Sequence, residues 1–429
     1  MAKDTNTRLR NTIFYQVFVR QHARSQDFAG VIADLERIKA LGVDVIYLLP
    51  IHPIGRKARK GSVGSPYAIR AYDRIDPSLG TMDDFKRLVE KAHALGLMVM
   101  MDIVINHTAR DSDLVEEHPD WFYKDKNGHF ANRVGDWSDV TDLDYNKRPV
   151  WDYFLDVLFE WAKLVDGFRC DVAPLIPLDF WREARQRIGT IKPDFIWLSE
   201  SVHLSFVKYL RDLGYECASD SEMYQVFDIL YDYDIFDFMT ESLQSGDPTR
   251  WLEEIERQEA IYPKNYVKLR SFENHDQPRL RSRVKDDDQF VNMLALNFFI
   301  RGAPLIYAGM EHGIAHRPDL FNDDVIAWDP SHSFEPLIRR LSDIKKKDIL
   351  REGSYHSRVS HGVVVIDYVL EHELLIGIFN LSGQQEIDLA LKDGRYMNRL
   401  DERMITVNDG RASLSRGPVI IDTTKGRLR

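Results

Sequence analysis

Between residue 13 and about residue 307 the chain alternates short apolar runs with longer segments whose apolar positions recur every three or four residues. Short runs rich in β-branched and aromatic residues read as strands, and the longer period reads as amphipathic helix. The runs 13–19, 44–49, 98–105, 167–171, 195–199, 216–219, 266–272 and 304–307 qualify as strands. Strands alternating with helices predict parallel βα units, and eight of them predict a closed (β/α)8 TIM barrel. Residues 27–41 show the helical pattern, with Phe28, Val31, Ile32, Leu35, Ile38 and Leu41 at helical spacing and Gly42 as the stop. Thr81, followed by Asp83 and Asp84, is a second helix start, an N-cap threonine with acids in the first turn.

Two departures from this rhythm divide the chain. Residues 106–145 are polar, aromatic and rich in Asp, Gly and Trp, too long for a simple βα loop, which predicts a subdomain inserted after strand three. Beyond residue 347 the pattern turns to short alternating runs at 362–369, 373–380, 386–389 and 419–422, which predicts an antiparallel β domain. The expected organisation is a barrel over 1–105 and 146–347, an insert over 106–145 and a C-terminal β domain over 348–429.

Composition narrows the function classes. A hydrophobic share of 44% with 29% charged residues describes a folded globular chain. The net charge of −11 disfavours nucleic acid as a partner. The basic runs 56–60 and 345–347 read as a solvated loop and a solvated helix end. No apolar N-terminal stretch resembles a secretory signal and no segment offers about 18 uncharged apolar residues, so a cytoplasmic location without membrane attachment is expected. Cys170 and Cys217 are too few for a disulfide framework and read as reduced, buried thiols.

Barrel enzymes draw catalytic groups from the C-terminal ends of several strands, so polar residues that end apolar runs carry the information. Strand three ends in Asp102-Ile103-Val104-Ile105-Asn106-His107 and strand four in Gly167-Phe168-Arg169-Cys170-Asp171. Strand five ends in Trp197-Leu198-Ser199-Glu200 and strand seven in Phe272-Glu273-Asn274-His275-Asp276. Arg169 and Asp171, two residues apart on a strand, face the same side, which favours an ionised Asp171. Glu200 follows Ile196-Trp197-Leu198, an apolar setting that raises its proton affinity.

In order and content these segments resemble the conserved regions of the α-amylase family of retaining glycoside hydrolases. Ser65-Pro66-Tyr67, Asp76-Pro77-Ser78-Leu79-Gly80-Thr81 and Gly302-Ala303-Pro304-Leu305-Ile306-Tyr307-Ala308-Gly309-Met310-Glu311 extend the resemblance over residues 13–311. It implies Asp171 as nucleophile, Glu200 as acid/base and Asp276 as the third carboxylate. It also implies sugar contacts from His107, Arg169 and His275, and a stacking platform at Tyr67. Asn106 resembles the family's structural calcium ligand and Asp142 a second ligand position, although Asn106 also reads as a hydrogen-bonding loop residue. The chemistry itself needs no cofactor. The implied substrate is an α-1,4-linked glucan or malto-oligosaccharide, small enough to be imported.

Other residues point in different directions. Val172-Ala173-Pro174-Leu175 stands where many α-amylases carry a Lys-His pair. Val172 and His275-Asp276-Gln277-Pro278-Arg279 resemble the oligo-1,6-glucosidase branch, whereas Glu273 and Asp142-Leu143-Asp144 resemble the α-amylase branch. Oligo-1,6-glucosidase and 4-α-glucanotransferase activities share every residue named. A non-catalytic carbohydrate-binding relative would be expected to have lost the three carboxylates, which are all present.

Overall fold

The computed structural model describes residues 4–134 and 137–429. Eight parallel strands close a barrel: β1 (Phe14–Val17), β2 (Val45–Leu48), β3 (Met98–Ile103), β4 (Gly167–Cys170), β5 (Ile196–Ser199), β6 (Ile229–Tyr231), β7 (Lys268–Arg270) and β8 (Ala303–Tyr307). Each strand pairs with its sequence neighbours, and β1 closes the ring by pairing Phe14 with both Val45 and Leu305. The expected TIM barrel is present.

The sixth strand is not the one the pattern pointed to. Residues 216–219 form an irregular segment in which Cys217 packs with Val172, Leu175 and Leu210, and Ser219 caps the short helix Asp220–Met223. The strand lies ten residues later, in Ile229–Tyr231, where the three residues are buried on both faces. A strand of three buried residues has no alternation to detect, and its identity rests on pairing with Leu198 and Ser199 on one side and Lys268 and Leu269 on the other.

Helix ends follow the sequence signals closely. Thr81 and Asp84 form a reciprocal capping box at the start of Met82–Ala94. Asp27 caps Phe28–Ala40, its Oδ1 accepting from Gly30 N at 3.0 Å. Asp27→Ala is expected to lower unfolding free energy by about 1 kcal/mol, read as a shift in the urea midpoint at constant slope. Lys345, assigned to solvent by its basic run, is 1% exposed and donates to Ile300 O at 3.1 Å, because its helix Glu335–Lys345 packs its last turn against the barrel.

Between β3 and the helix Arg148–Ala162 that leads to β4, two short strands, His107–Ala109 and Val140–Asp142, pair antiparallel. Tyr145 fastens this insert back to the barrel by donating to Ile105 O at 2.7 Å. Beyond Gly353 come two four-stranded antiparallel sheets. The first docks on the barrel through Gly377, where an added Cβ would sit 2.6 Å from the Phe299 ring. Tyr368 Oη donates to Phe299 O at 2.9 Å in the same contact.

Candidate active site

The register of the barrel brings the chemistry together. Asp102 of β3 lies opposite Arg169 of β4, and Cys170 of β4 opposite Ser199 of β5, so Asp171 and Glu200 emerge side by side from adjoining strands. Glu200 N donates to Cys170 O at 3.0 Å, fixing that neighbour relation one residue past the paired positions. With Asp276 beyond β7, they line one cavity of about 300 Å³ together with Tyr67, His107 and Trp137. Among the described residues, this volume sits at the low end of small-molecule pockets, about 300–1,000 Å³.

One guanidinium faces three carboxylates. Arg169 is fully buried, and its NH1 donates to Asp102 Oδ1 at 2.8 Å, Asp102 Oδ2 at 2.9 Å and Asp171 Oδ1 at 2.9 Å. Its NH2 lies 2.9 Å from Glu200 Oε1. The sequence expectation that Arg169 keeps Asp171 ionised counts only one of these partners. Burial, then the facing charge of Glu200, pushes Asp171 well above the usual aspartate range despite Arg169. Burial likewise raises Glu200, against the pull of Arg169. Burial raises Asp102 as well, against the pull of Arg169, and the hydroxyls of Tyr47 (3.1 Å) and Tyr67 (3.0 Å) also donate to it. Asp171 and Glu200, both raised and ending adjoining strands, titrate together rather than singly.

The third carboxylate behaves differently. The Asp276 side chain is 40% exposed, against 8% for Asp171 and 10% for Glu200, so it forms the rim rather than the floor. Burial pushes Asp276 up, but the charge and hydrogen bond of His275 outweigh it and hold the carboxyl below the aspartate range. His275 Nε2 lies 3.0 Å from Asp276 Oδ2 and 2.5 Å from Tyr67 Oη, with the Tyr67 and His275 rings stacked at 5.5 Å. Burial lowers His107, leaving a neutral imidazole 3.8 Å from Asp171 Oδ2 with Trp137 at 5.3 Å. The sugar-contact candidates Tyr67, His107, Arg169 and His275 thus all converge on the carboxylates.

Several residues in or beneath the cavity carry no role in the sequence reading. Asp102 stands in the sequence only as the start of the strand-three motif; that it is a buried acid opposite buried Arg169 becomes visible through strand pairing. Lys60, assigned to a solvated loop, instead pairs with Asp139 at 2.9 Å and lies 5.7 Å from the Phe321 ring centroid. It thereby joins the loop after β2 to the insert across the cavity mouth. Val172, directly after Asp171, adopts φ 36° and ψ 40° and donates its N–H to Glu200 Oε2 at 2.7 Å. A β-branched residue in this left-handed region is strained, and strain of this kind gathers at functional sites.

The conflicting branch signals also gain a physical reading. Arg279 donates to Glu273 Oε1 at 2.7 Å, and Leu280 N to Glu273 Oε2 at 2.6 Å, with both side chains fully buried. One residue from each set, Arg279 and Glu273, are thus partners of each other away from the cavity, whereas Val172 and Asp276 line it.

Asn106 and Asp142 do come together, but around a side chain. Arg133 donates through Nε to Asp142 Oδ2 at 2.8 Å and through NH2 to Asn106 Oδ1 at 2.9 Å, while its backbone N–H reaches Asp142 Oδ2 at 2.9 Å. A guanidinium already fills the gap between the two oxygens that would face calcium. Calcium takes six to eight oxygen ligands, and among the described residues no cluster of three or more His, Cys, Asp or Glu side chains could hold a metal. This pair does not fit the ion.

Comparison with known proteins agrees with the geometry. The family model described as alpha amylase, catalytic domain, matches residues 12–357, and the bacterial alpha amylase C-terminal domain matches residues 354–421. A crystal structure of an alpha-amylase from Lactobacillus plantarum superimposes with a TM-score of 0.95 at 46% identity, covering 97% of this chain and 100% of that one. The noncanonic maltogenic alpha-amylase AmyB from Thermotoga neapolitana gives 0.86 at 31% identity, covering 97% and 99%. The alpha-amylase MalA of Haloarcula japonica is 30% identical over 345 residues, 78% of this chain and 48% of the relative. The chain spans about half the length of that curated relative, and less of several others. With a catalytic-domain match over most of its length and the barrel, insert and carboxylate floor in place, the chain belongs to the alpha-amylase family.

Proposed function

We propose that the chain is a retaining α-glucan hydrolase that cleaves α-1,4 links in malto-oligosaccharides through a covalent glycosyl intermediate. The observation that carries this reading is the single guanidinium of Arg169, buried beneath the cavity, reaching both Asp171 and Glu200 at 2.9 Å. Retaining enzymes hold their two carboxyl groups about 5–5.5 Å apart, and residues ending adjoining parallel strands, about 4.8 Å apart, supply that spacing.

Asp171 attacks the anomeric carbon while Glu200 donates its proton to the departing oxygen, and Glu200 then takes a proton from the water that releases the sugar. The positive charge growing at the anomeric carbon draws the negative charge of the pair onto Asp171, which leaves the shared proton on Glu200. Asp276, held anionic by His275, contacts sugar hydroxyls at the rim and supports that charge. Tyr67 and His107 complete the walls of the ring site. A cytoplasmic setting, expected from the sequence, suits imported oligosaccharides rather than polymeric starch.

Incubation with maltoheptaose, followed by proton NMR within the first minutes and by chromatography over hours, tests the proposal. The expected first product is the α-anomer, with little turnover of isomaltose. A β-anomer first product, or a strong preference for isomaltose, overturns it.

A further inference from the structure

The loop at 56–64 has two faces. Lys60, with Ser65 just beyond, turns to the catalytic cavity, whereas Arg56 and Arg59 border a separate cavity of about 450 Å³. Arg20, Arg70 and Arg74 complete its wall, with Asp76 as the one carboxylate in the lining. Five arginines in one lining run against the charge of a chain whose net is −11.

Two of the five are partly neutralised from outside. Arg70 lies 3.3 Å from Asp113, and Arg74 contacts Asp113 as well as Asp73. Arg20, Arg56 and Arg59 have no ion-pair partner among the described residues. Arg20 NH2 donates only to the carbonyls of Gly64 (3.1 Å) and Leu320 (2.6 Å), and its Nε is buried with no partner. Arg59 runs along the same glycine: a Cβ on Gly64, whose φ is +94°, would lie 3.2 Å from Arg59 Nε. Two cations are thus brought to one peptide, with Asp76 the carboxylate in the same lining. Burial, with the Arg59 charge, lowers Arg20 below the usual arginine range against the opposing charges of Asp76 and Asp323.

We propose that this cavity binds a phosphate-group anion, either the free ion or the phosphate of a phosphorylated sugar. The planar fork of arginine matches phosphate oxygens two at a time, and charge-assisted bonds of this kind are about twice as strong as neutral ones. A dianion offsets the unpaired charges of Arg20, Arg56 and Arg59 better than a carboxylate does. The space exceeds what one phosphate fills, which leaves room for an attached hexose. Because binding is read directly, this inference stands or falls apart from the glucan-hydrolase reading.

Isothermal titration of the full chain with inorganic phosphate and with glucose 6-phosphate, against potassium chloride at equal ionic strength, tests it. Both anions are run on the unaltered protein, on Arg56→Ala/Arg59→Ala and on Arg56→Lys/Arg59→Lys. Arg20 is left in place because it holds two backbone carbonyls. The expected result is saturable binding of at least one phosphate, weakened about tenfold or more in the alanine variant and partly recovered in the lysine variant. Tighter binding of glucose 6-phosphate assigns the site to a phosphorylated sugar, and equal affinity assigns it to the free ion. No saturable heat, the same heat from chloride, or full binding by the alanine variant overturns the proposal.

Discussion

Glu200→Gln is expected to lower kcat on maltoheptaose by about 10²–10⁴-fold, the share that a positioned proton donor contributes. The amide keeps the size of the side chain and can still accept from Val172 N, which donates to Oε2 at 2.7 Å in the parent. Thermal midpoint and circular dichroism should therefore change little. The pH profile gives a second reading. Burial raises Glu200, so its acid form persists above the ordinary glutamate range and activity falls as pH rises through that raised value. The alkaline limb of kcat/KM should flatten in the variant, since the amide does not titrate. Unchanged turnover, with the fold intact, would return the chain to the non-catalytic carbohydrate-binding reading.

The second large effect concerns stability. Arg133→Ala should destabilise the protein by about 3–5 kcal/mol, the usual result of removing one partner from a buried charged pair. Asp142 and Asn106 are fully buried, and the substitution takes away donors from both. Denaturant unfolding, with intrinsic fluorescence as the readout, measures the loss. In the parent protein, millimolar EDTA should leave the thermal midpoint unchanged, because the guanidinium occupies the space between the two oxygens. A fall of several degrees on chelation would show that a metal holds the insert after all.

Much of this was legible in the sequence because it depends on local order. Strand ends at Asp171, Glu200 and Asp276 announce themselves by a polar residue closing an apolar run, and the N-cap at Thr81 by the acids at 83 and 84. What escaped depends on distant partners. The β6 strand is three residues long and exists through its neighbours. Arg133 lies 27 positions from Asn106 in a stretch without periodicity, and nothing local says that it points between two buried oxygens. The sign of the Asp171 shift escapes for the same reason: it comes from burial inside the closed barrel and from the charge of Glu200, 29 residues further on, which outweigh the local Arg169. The five arginines at 20, 56, 59, 70 and 74 become a group only once the loop after β2 folds back over the start of the chain.

The left-handed peptide at Val172 has a consequence for how the enzyme can change. Its amide holds Glu200, the proposed proton donor, and keeping a branched side chain there costs on the order of 1–3 kcal/mol. A glycine in its place would relieve that tension and let the amide wander. Durability and turnover therefore pull against each other at a single residue, so heat-hardened descendants of this chain would gain strength elsewhere and leave position 172 bent.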